Sequence, residues 1–314
     1  MAPSSGNVLG YFQISFLRLK AMPSLRTGSS TCHAGIRPDK LIFSTKNSGR
    51  LPWQCYDSRM QGQLNTFNLL GVRVSVLTPE LAVSYITDMV RRRARGYVCV
   101  APVATIVDAR LDLRYREVIN NAALVTPDGM PVVWMGRYLG CAQIRRTYGP
   151  DLMLRLCDEG RKAGLKHYFY GATPEICDKL TTVLRCRFPG LDIVGHMSPP
   201  YMPSAQLLDT GIAGQINACA PDILWVGLGS PKQDFWMALN RSALDVPVMI
   251  GIGAAFDFLA GAKPQAPVWM RRSGLEWLFR LCCEPRRLWK RYLLGNVRFV
   301  WWVLLEYVLQ GRRR

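Results

Sequence analysis

Between residues 70 and 265, short apolar runs alternate with longer stretches whose apolar positions recur every third or fourth residue. Residues 72–77 read as a strand. Thr78 before Pro79-Glu80 has the form of a helix N-cap with an acidic first turn, and that helix should run to about Arg95, where Gly96 stops it. Residues 97–104 read as a second strand, followed by a helix through Asn121. A short strand at 123–126 then ends at Pro127-Asp128-Gly129. Residues 166–170 lead through Gly171 into a helix from Pro174. Residues 192–195 precede a proline-rich loop at 198–203 and a helix to about Cys219. The runs 223–226 and 248–252 are continuously apolar, as parallel strands buried on both faces are. This rhythm predicts an α/β fold, a Rossmann-like, mostly parallel sheet flanked by helices. Ligands of such sheets bind beyond the carboxyl ends of the strands. The loops at Asp128, Gly171, 227–233 and 251–257 are therefore the places to look for chemistry.

From Ala266 the rhythm stops. The rest of the chain reads as two helices divided near Glu284-Pro285, and it carries five of the nine tryptophans: Trp269, Trp277, Trp289, Trp301 and Trp302. The organisation expected is an α/β body over 66–265 and a helical, basic, membrane-proximal appendage over 266–314. Residues 1–65 show no period and are rich in Ser, Arg and Lys. They read as a disordered extension or a start codon placed too early, and Met60 stands just before the patterned region.

Charge sharpens this division. The formal net charge is +18, but residues 1–60 hold eight Lys/Arg against Asp39 and Asp57, and residues 268–314 hold eleven against Glu276, Glu284 and Glu306. The body is nearly balanced, so the basic character belongs to the ends. Arginine and lysine interleaved with Trp, Tyr and Leu in a helical tail suit an acidic membrane surface. No nucleic-acid-binding motif accompanies the charge, so no nucleic acid partner is expected. No run reaches the roughly 20 apolar residues of a spanning helix, and the longest candidate, 299–309, contains Glu306. The ten cysteines form no CxxC, which indicates reduced structural thiols, and three histidines make a zinc site improbable. A homo-oligomer is compatible with the sequence, which leaves oligomeric state open.

Four segments carry candidate chemistry. Gly227-Leu-Gly-Ser-Pro-Lys-Gln233 follows a strand and opens a helix. Gly227 and Gly229 would let the backbone approach an anion, the helix start offers free N–H groups, and Lys232 adds charge. The same loop could equally be an ordinary strand-to-helix turn. Asp128 sits where a catalytic carboxylate would reach into a cleft, or where it would cap the helix beginning at Met130. Asp257, between Phe256 and Phe258, is a structural anchor or a substrate ligand. A capping role for Asp151, after Arg145, Arg146 and Tyr148, is equally open.

Taken in order, Val125-Thr-Pro-Asp-Gly-Met-Pro-Val-Val-Trp134, Arg146-Thr-Tyr-Gly-Pro-Asp-Leu-Met153, Tyr168-Phe-Tyr-Gly-Ala172, Val226-Gly-Leu-Gly-Ser-Pro-Lys-Gln-Asp234 and Ile250-Gly-Ile-Gly-Ala-Ala-Phe-Asp-Phe-Leu-Ala-Gly261 resemble the WecG/TagA/CpsF glycosyltransferase family. So do Ala266-Pro-Val-Trp-Met-Arg-Arg272, Gly274-Leu-Glu-Trp-Leu-Phe-Arg280 and Glu284-Pro-Arg-Arg287. The resemblance covers about residues 70–298. It implies an inverting transferase, independent of metal and needing no cofactor, that moves a sugar from a UDP-sugar donor to a polyprenyl-diphosphate-linked acceptor in bacterial exopolysaccharide or cell-wall polymer biosynthesis. It would work as a peripheral protein on the cytoplasmic face of the inner membrane. By the same resemblance Asp128 is the general base. Gly171, Gly227, Gly229, Pro231, Lys232, Gln233 and Asp257 bind the donor, and Arg271, Arg280 and Arg287 meet the diphosphate or the acceptor. One departure stands out. Relatives usually end the second strand with a Thr and an Asn or His facing the donor, whereas this chain has Ala101-Pro-Val-Ala104, and its first hydroxyl is Thr105.

Two other classes compete with this reading. A nicotinamide-dependent oxidoreductase would need GxGxxG after the first strand, and the first junction, Leu77-Thr-Pro-Glu80, has no glycine. A non-catalytic membrane-peripheral scaffold would use the basic tail for assembly. Titration with UDP and with nicotinamide cofactor separates the three.

Overall fold

The structure, a computed structural model, describes residues 64–199 and 210–309, so most of the 1–65 extension and much of the 198–203 loop lie outside the described residues. Strands β1 (Thr66–Leu69) and β2 (Val72–Ser75) form an antiparallel hairpin. After helix α1 (Pro79–Arg91) come β3 (Gly96–Ala101), α2 (Val103–Leu111), α3 (Leu113–Asn120), β4 (Leu124–Pro127) and α4 (Met130–Tyr138). Next are α5 (Gly149–Lys162), β5 (Lys166–Gly171), α6 (Pro174–Arg187), β6 (Asp192–Met197), α7 (Thr210–Ala218), β7 (Ile223–Gly227), α8 (Lys232–Asn240), β8 (Val248–Gly251) and α9 (Ala255–Leu259). The C-terminal segment holds α10 (Val268–Arg272), α11 (Glu276–Cys283), α12 (Pro285–Trp289) and α13 (Gly295–Val303), with π-helical turns at Lys290–Leu294 and Leu304–Leu309.

Strands β3 to β8 form one parallel sheet in the order β4-β3-β8-β7-β5-β6. The strand period of two sorts its side chains onto opposite faces. Tyr97, Cys99, Tyr170, Leu224, Val226 and Met249 pack on one face with α2, α3, α4 and α8. Val98, Val100, Phe169, Trp225 and Ile250 pack on the other with α1, α5, α6 and α9. Because both faces are covered, these strands read as unbroken apolar runs.

Local sequence accounts for most boundaries. Thr78 caps α1, its hydroxyl accepting from Leu81 N at 3.2 Å. The helix stops at Arg91, earlier than expected, because Arg93 turns left-handed at φ 51°. Gly96 does not stop the helix. It opens β3, where a Cβ would lie 2.8 Å from both Ala123 Cβ and Met89 Cε. The expected strand 97–104 ends at Ala101, since Pro102 is the N-cap residue of α2. The single helix expected through Asn121 is two. Asp112 closes α2 and caps α3, accepting from Arg114 N at 2.9 Å.

The β1–β2 hairpin, unforeseen in its first strand, covers the free edge of β4, where Ser75 Oγ accepts from Val125 N at 3.1 Å. Its turn, Leu70-Gly71, has φ of 54° and 94° and is held by Asn68 Oδ1 accepting from Gly71 N. The C-terminal segment packs back onto this region. Tyr307 OH accepts from Leu70 N at 2.8 Å and donates to Asn68 O at 3.3 Å. Phe299 and Tyr307 are buried in the same cluster as Leu69, Val107 and Val132. Arg110 of α2 pairs with Glu306 at 2.7 Å and lies over the Trp302 ring, and Asp108 pairs with Arg291 at 3.2 Å.

Candidate active site

The carboxyl ends of four neighbouring strands, β4, β3, β8 and β7, open on a cavity of about 750 Å³. The C-terminal segment closes its far side with α11, α12, α13 and the turn around Arg291. Among the described residues six basic side chains line it (Arg146, Lys232, Arg271, Arg280, Arg287 and Arg291) against two acidic ones, Asp128 and Glu276. An enclosed wall with such an excess of positive charge favours an anionic ligand.

Asp128 follows the last residue of β4. The helix after it is capped by Gly129, without a side-chain bond, so the capping reading of Asp128 does not hold. Its carboxylate turns to Arg146, whose Nη2 lies 3.4 Å from Asp128 Oδ1. Burial pushes the carboxyl up to about 6, Glu276 adds to the rise, and the charges of Arg146 and Arg280 oppose it. Arg146 joins the two halves of the site. Its Nε donates to Asp128 O, its Nη1 to Arg271 O at 3.0 Å, and its Nη2 to Glu276 Oε2 at 2.5 Å. The guanidinium also stacks on Tyr148, with Cζ 4.3 Å from the ring centre.

Gln233 is buried at the start of α8 and ties the β7 and β8 loops together. Its Oε1 accepts from Gly229 N at 3.1 Å and from Gly253 N at 2.9 Å, and its Nε2 donates to Ser230 Oγ at 3.1 Å. The N–H of Gly229 thus faces Gln233. Gly229 stands at φ 79°, where glycine alone is unstrained. Gln233→Ala would leave two backbone N–H groups without acceptors, each worth about 1–3 kcal/mol when buried. The expected outcome is a lower melting temperature, read by thermal melts.

Of the residues expected to form a site, Asp128, Gly229, Lys232, Gln233, Arg271, Arg280 and Arg287 line this one cavity. Gly171, Gly227, Pro231 and Asp257 do not. Gly171 and Gly227 lie back to back, and a Cβ on Gly171 would meet Gly227 C at 2.6 Å. A Cβ on Gly227 would meet the Phe256 ring at 2.7 Å, so both glycines allow close packing of strand ends. Asp257 pairs with Lys263 at 3.2 Å, and Lys263 reaches Glu284 at 3.6 Å, which fastens α9 to α12. Asp151, half exposed in the first turn of α5, faces Arg271 at 3.6 Å. Pro102, Val103 and Ala104 line the wall where relatives were expected to place polar groups, and Thr105 is fully buried behind them. Arg146, Glu276 and Arg291 were missed as site residues. Arg146 and Glu276 lie inside the family-like runs, but a pair 130 positions apart leaves no local trace in the sequence.

Fold and site together define a doubly wound α/β protein with a cationic cleft at its strand ends, floored by one carboxylate. The chain belongs to the Glycosyl transferase WecG/TagA/CpsF family, whose model matches residues 67–314. Its relatives include N-acetylglucosaminyldiphosphoundecaprenol N-acetyl-beta-D-mannosaminyltransferases. That of Bacillus spizizenii is 32% identical over 186 residues, which is 59% of this chain and 70% of the relative. That of Bacillus subtilis is 32% identical over 182 residues, 58% of this chain and 69% of the relative. That of Staphylococcus aureus is 30% identical over 174 residues, 55% of this chain and 66% of the relative.

Proposed function

We propose that this chain is an inverting glycosyltransferase that moves a sugar from a UDP-sugar to a polyprenyl-diphosphate-linked acceptor at the cytoplasmic face of the bacterial inner membrane, in cell-wall or exopolysaccharide synthesis. The observation that carries the reading is Asp128, a mostly buried carboxyl raised to about 6 on the floor of a cavity otherwise rich in arginine. A carboxylate so placed is ionised at neutral pH, yet basic enough to take a proton. The acceptor hydroxyl attacks the anomeric carbon and its proton passes to Asp128. The bond from that carbon to UDP breaks with its electron pair left on the β-phosphate oxygen. Arg271, Arg280, Arg287 and Lys232 offset that charge. No metal enters this scheme.

The relatives' names supply the acceptor class and make UDP-N-acetylmannosamine the first donor to try. The membrane reading rests on the helical run from α12 to the final π-helical turn. Trp289, Leu293, Val297, Trp301 and Leu304 recur at helical spacing and are all exposed, with Lys290 and Arg298 nearby. Such an apolar face flanked by basic residues suits an interfacial helix on acidic lipid. Among the described residues no helix is long and apolar enough to cross a membrane.

A screen of UDP-sugars against a synthetic lipid-diphosphate-sugar, read as UDP release, tests the proposal. Release that needs both acceptor and enzyme supports it, and no release with any UDP-sugar defeats it. With the active donor, kcat/KM should be flat at neutral pH and fall tenfold per unit below about 6, as Asp128 becomes protonated. A profile flat down to pH 4.5 would remove Asp128 as the base.

A further inference from the structure

Arg146 serves two carboxylates with one nitrogen. Nη2 stands 2.5 Å from Glu276 Oε2 and 3.4 Å from Asp128 Oδ1. Of the other two nitrogens, Nε donates to Asp128 O and Nη1 to Arg271 O, so the guanidinium plane is pinned and Nη2, with its two hydrogens, is the nitrogen shared between the carboxylates, held much closer to Glu276. All three side chains are about 15% exposed, so water screens the contest little. Asp128 comes from the end of β4, whereas Glu276 opens α11 in the C-terminal segment.

We propose that Glu276 is a positioning residue for the base: by engaging Arg146 it keeps the guanidinium from a full ion pair with Asp128, so that seating of the C-terminal segment makes Asp128 competent to take a proton. The inference rests on the reading of Asp128 as the base. Without Glu276 the nearest partner of Nη2 is Asp128, and an arginine fully paired to a carboxylate lowers its affinity for protons by about 1–3 pH units. The other charges around Asp128 do not substitute for Glu276. Arg280 of α11 also favours the ionised form, while Arg271 offers Arg146 only its carbonyl and turns its own guanidinium to Asp151. Tyr148 stacks on the Arg146 guanidinium. Among the described residues Glu276 is the one acidic side chain on the cavity wall besides Asp128, and its charge contributes to the rise of the Asp128 carboxyl.

The test is a titration of Asp128 in the full-length protein without substrate, by carboxyl carbon NMR, with the signal assigned by its loss in Asp128→Asn. In the native protein the transition should lie near about 6. In Glu276→Gln, which keeps shape and removes charge, it should fall by about 1–2 pH units. The acid limb of kcat/KM should move down equally, with a plateau about three- to tenfold lower from the weaker base and donor KM little changed. Glu276→Asp, which keeps the charge, should titrate above the Gln variant. In an Asp128→Asn background, Glu276→Gln should cost nothing further in kcat, because the two act through one proton transfer.

An unmoved transition in Glu276→Gln overturns the proposal. So does a raised KM with an unmoved acid limb, which would make Glu276 a substrate contact, or unfolding of the variant, which would make it structural. Full turnover by Asp128→Asn defeats the base assignment itself. An inactive Asp128→Asn beside an unshifted Glu276→Gln defeats this inference alone.

Discussion

Asp128→Asn should lower kcat by about 10²–10⁴-fold while UDP still binds. The asparagine keeps the backbone carbonyl that receives Arg146 Nε, and Arg146 keeps Arg271 O and Glu276, so the arrangement around the site survives. Stability should not fall. A carboxyl raised in the folded state from 3.8 to about 6 binds protons more tightly folded than unfolded. The stability it contributes is present below about pH 4 and is lost as pH rises through about 6. The variant should therefore melt at or above the native temperature at pH 7.5, and its melting temperature should vary less between pH 4 and 7. Near-native turnover, or loss of UDP binding along with kcat, would contradict the assignment.

Truncation after Gly261 should abolish transfer and also weaken the body. It removes Glu276 and the basic wall of Arg271, Arg280, Arg287 and Arg291. It also removes Phe299 and Tyr307 from the cluster shared with Leu69 and Val132, and the two hydrogen bonds of Tyr307 to the hairpin turn. Loss of one buried phenylalanine ring alone costs about 3–5 kcal/mol, so the truncated chain should melt well below the whole one and tend to associate. Full-length protein should sediment with vesicles of acidic lipid and be partly released by high salt, since each Lys/Arg near such a surface contributes about 1 kcal/mol that salt screens. A truncated chain that turns over, or melts like the whole, would overturn this account of the segment.

The sheet was legible because both of its faces are covered. Residues 223–226 and 248–252 could be read as strands from composition alone, and Thr78 could be read as a cap from its own chemistry. The hairpin was missed because β1 has only four residues and its turn is Leu-Gly, without the Asn-Gly signature. Asn68, placed just before the turn, supplies the missing hydrogen bond. Gly96 was misread for a related reason. Sequence shows that a glycine is needed, but not whether a turn or the closeness of Ala123 requires it. In the site, Asp128 stood out by its place after a strand, yet its partner could not be read. Arg146 and Glu276 meet only when the tail folds over the sheet, and Gly171, Gly227 and Asp257, though in motif-like runs, stand off the cavity wall, the glycines packed against strand ends and Asp257 paired with Lys263.

The contact of Tyr307 with Asn68 and Leu70 spans 239 and 237 positions and joins the earliest described strand to the last described helix. The ribosome delivers Leu70 237 residues before Tyr307, so the hairpin must wait for its partner through most of synthesis. At about 5–20 residues per second, that wait is on the order of ten seconds or more. During it Leu69, Val72 and Val132 lack part of their cover, and the cationic cleft has no far wall. Until residue 307 emerges, the nascent chain therefore carries uncovered apolar surface around the hairpin and a cleft that is not yet walled in.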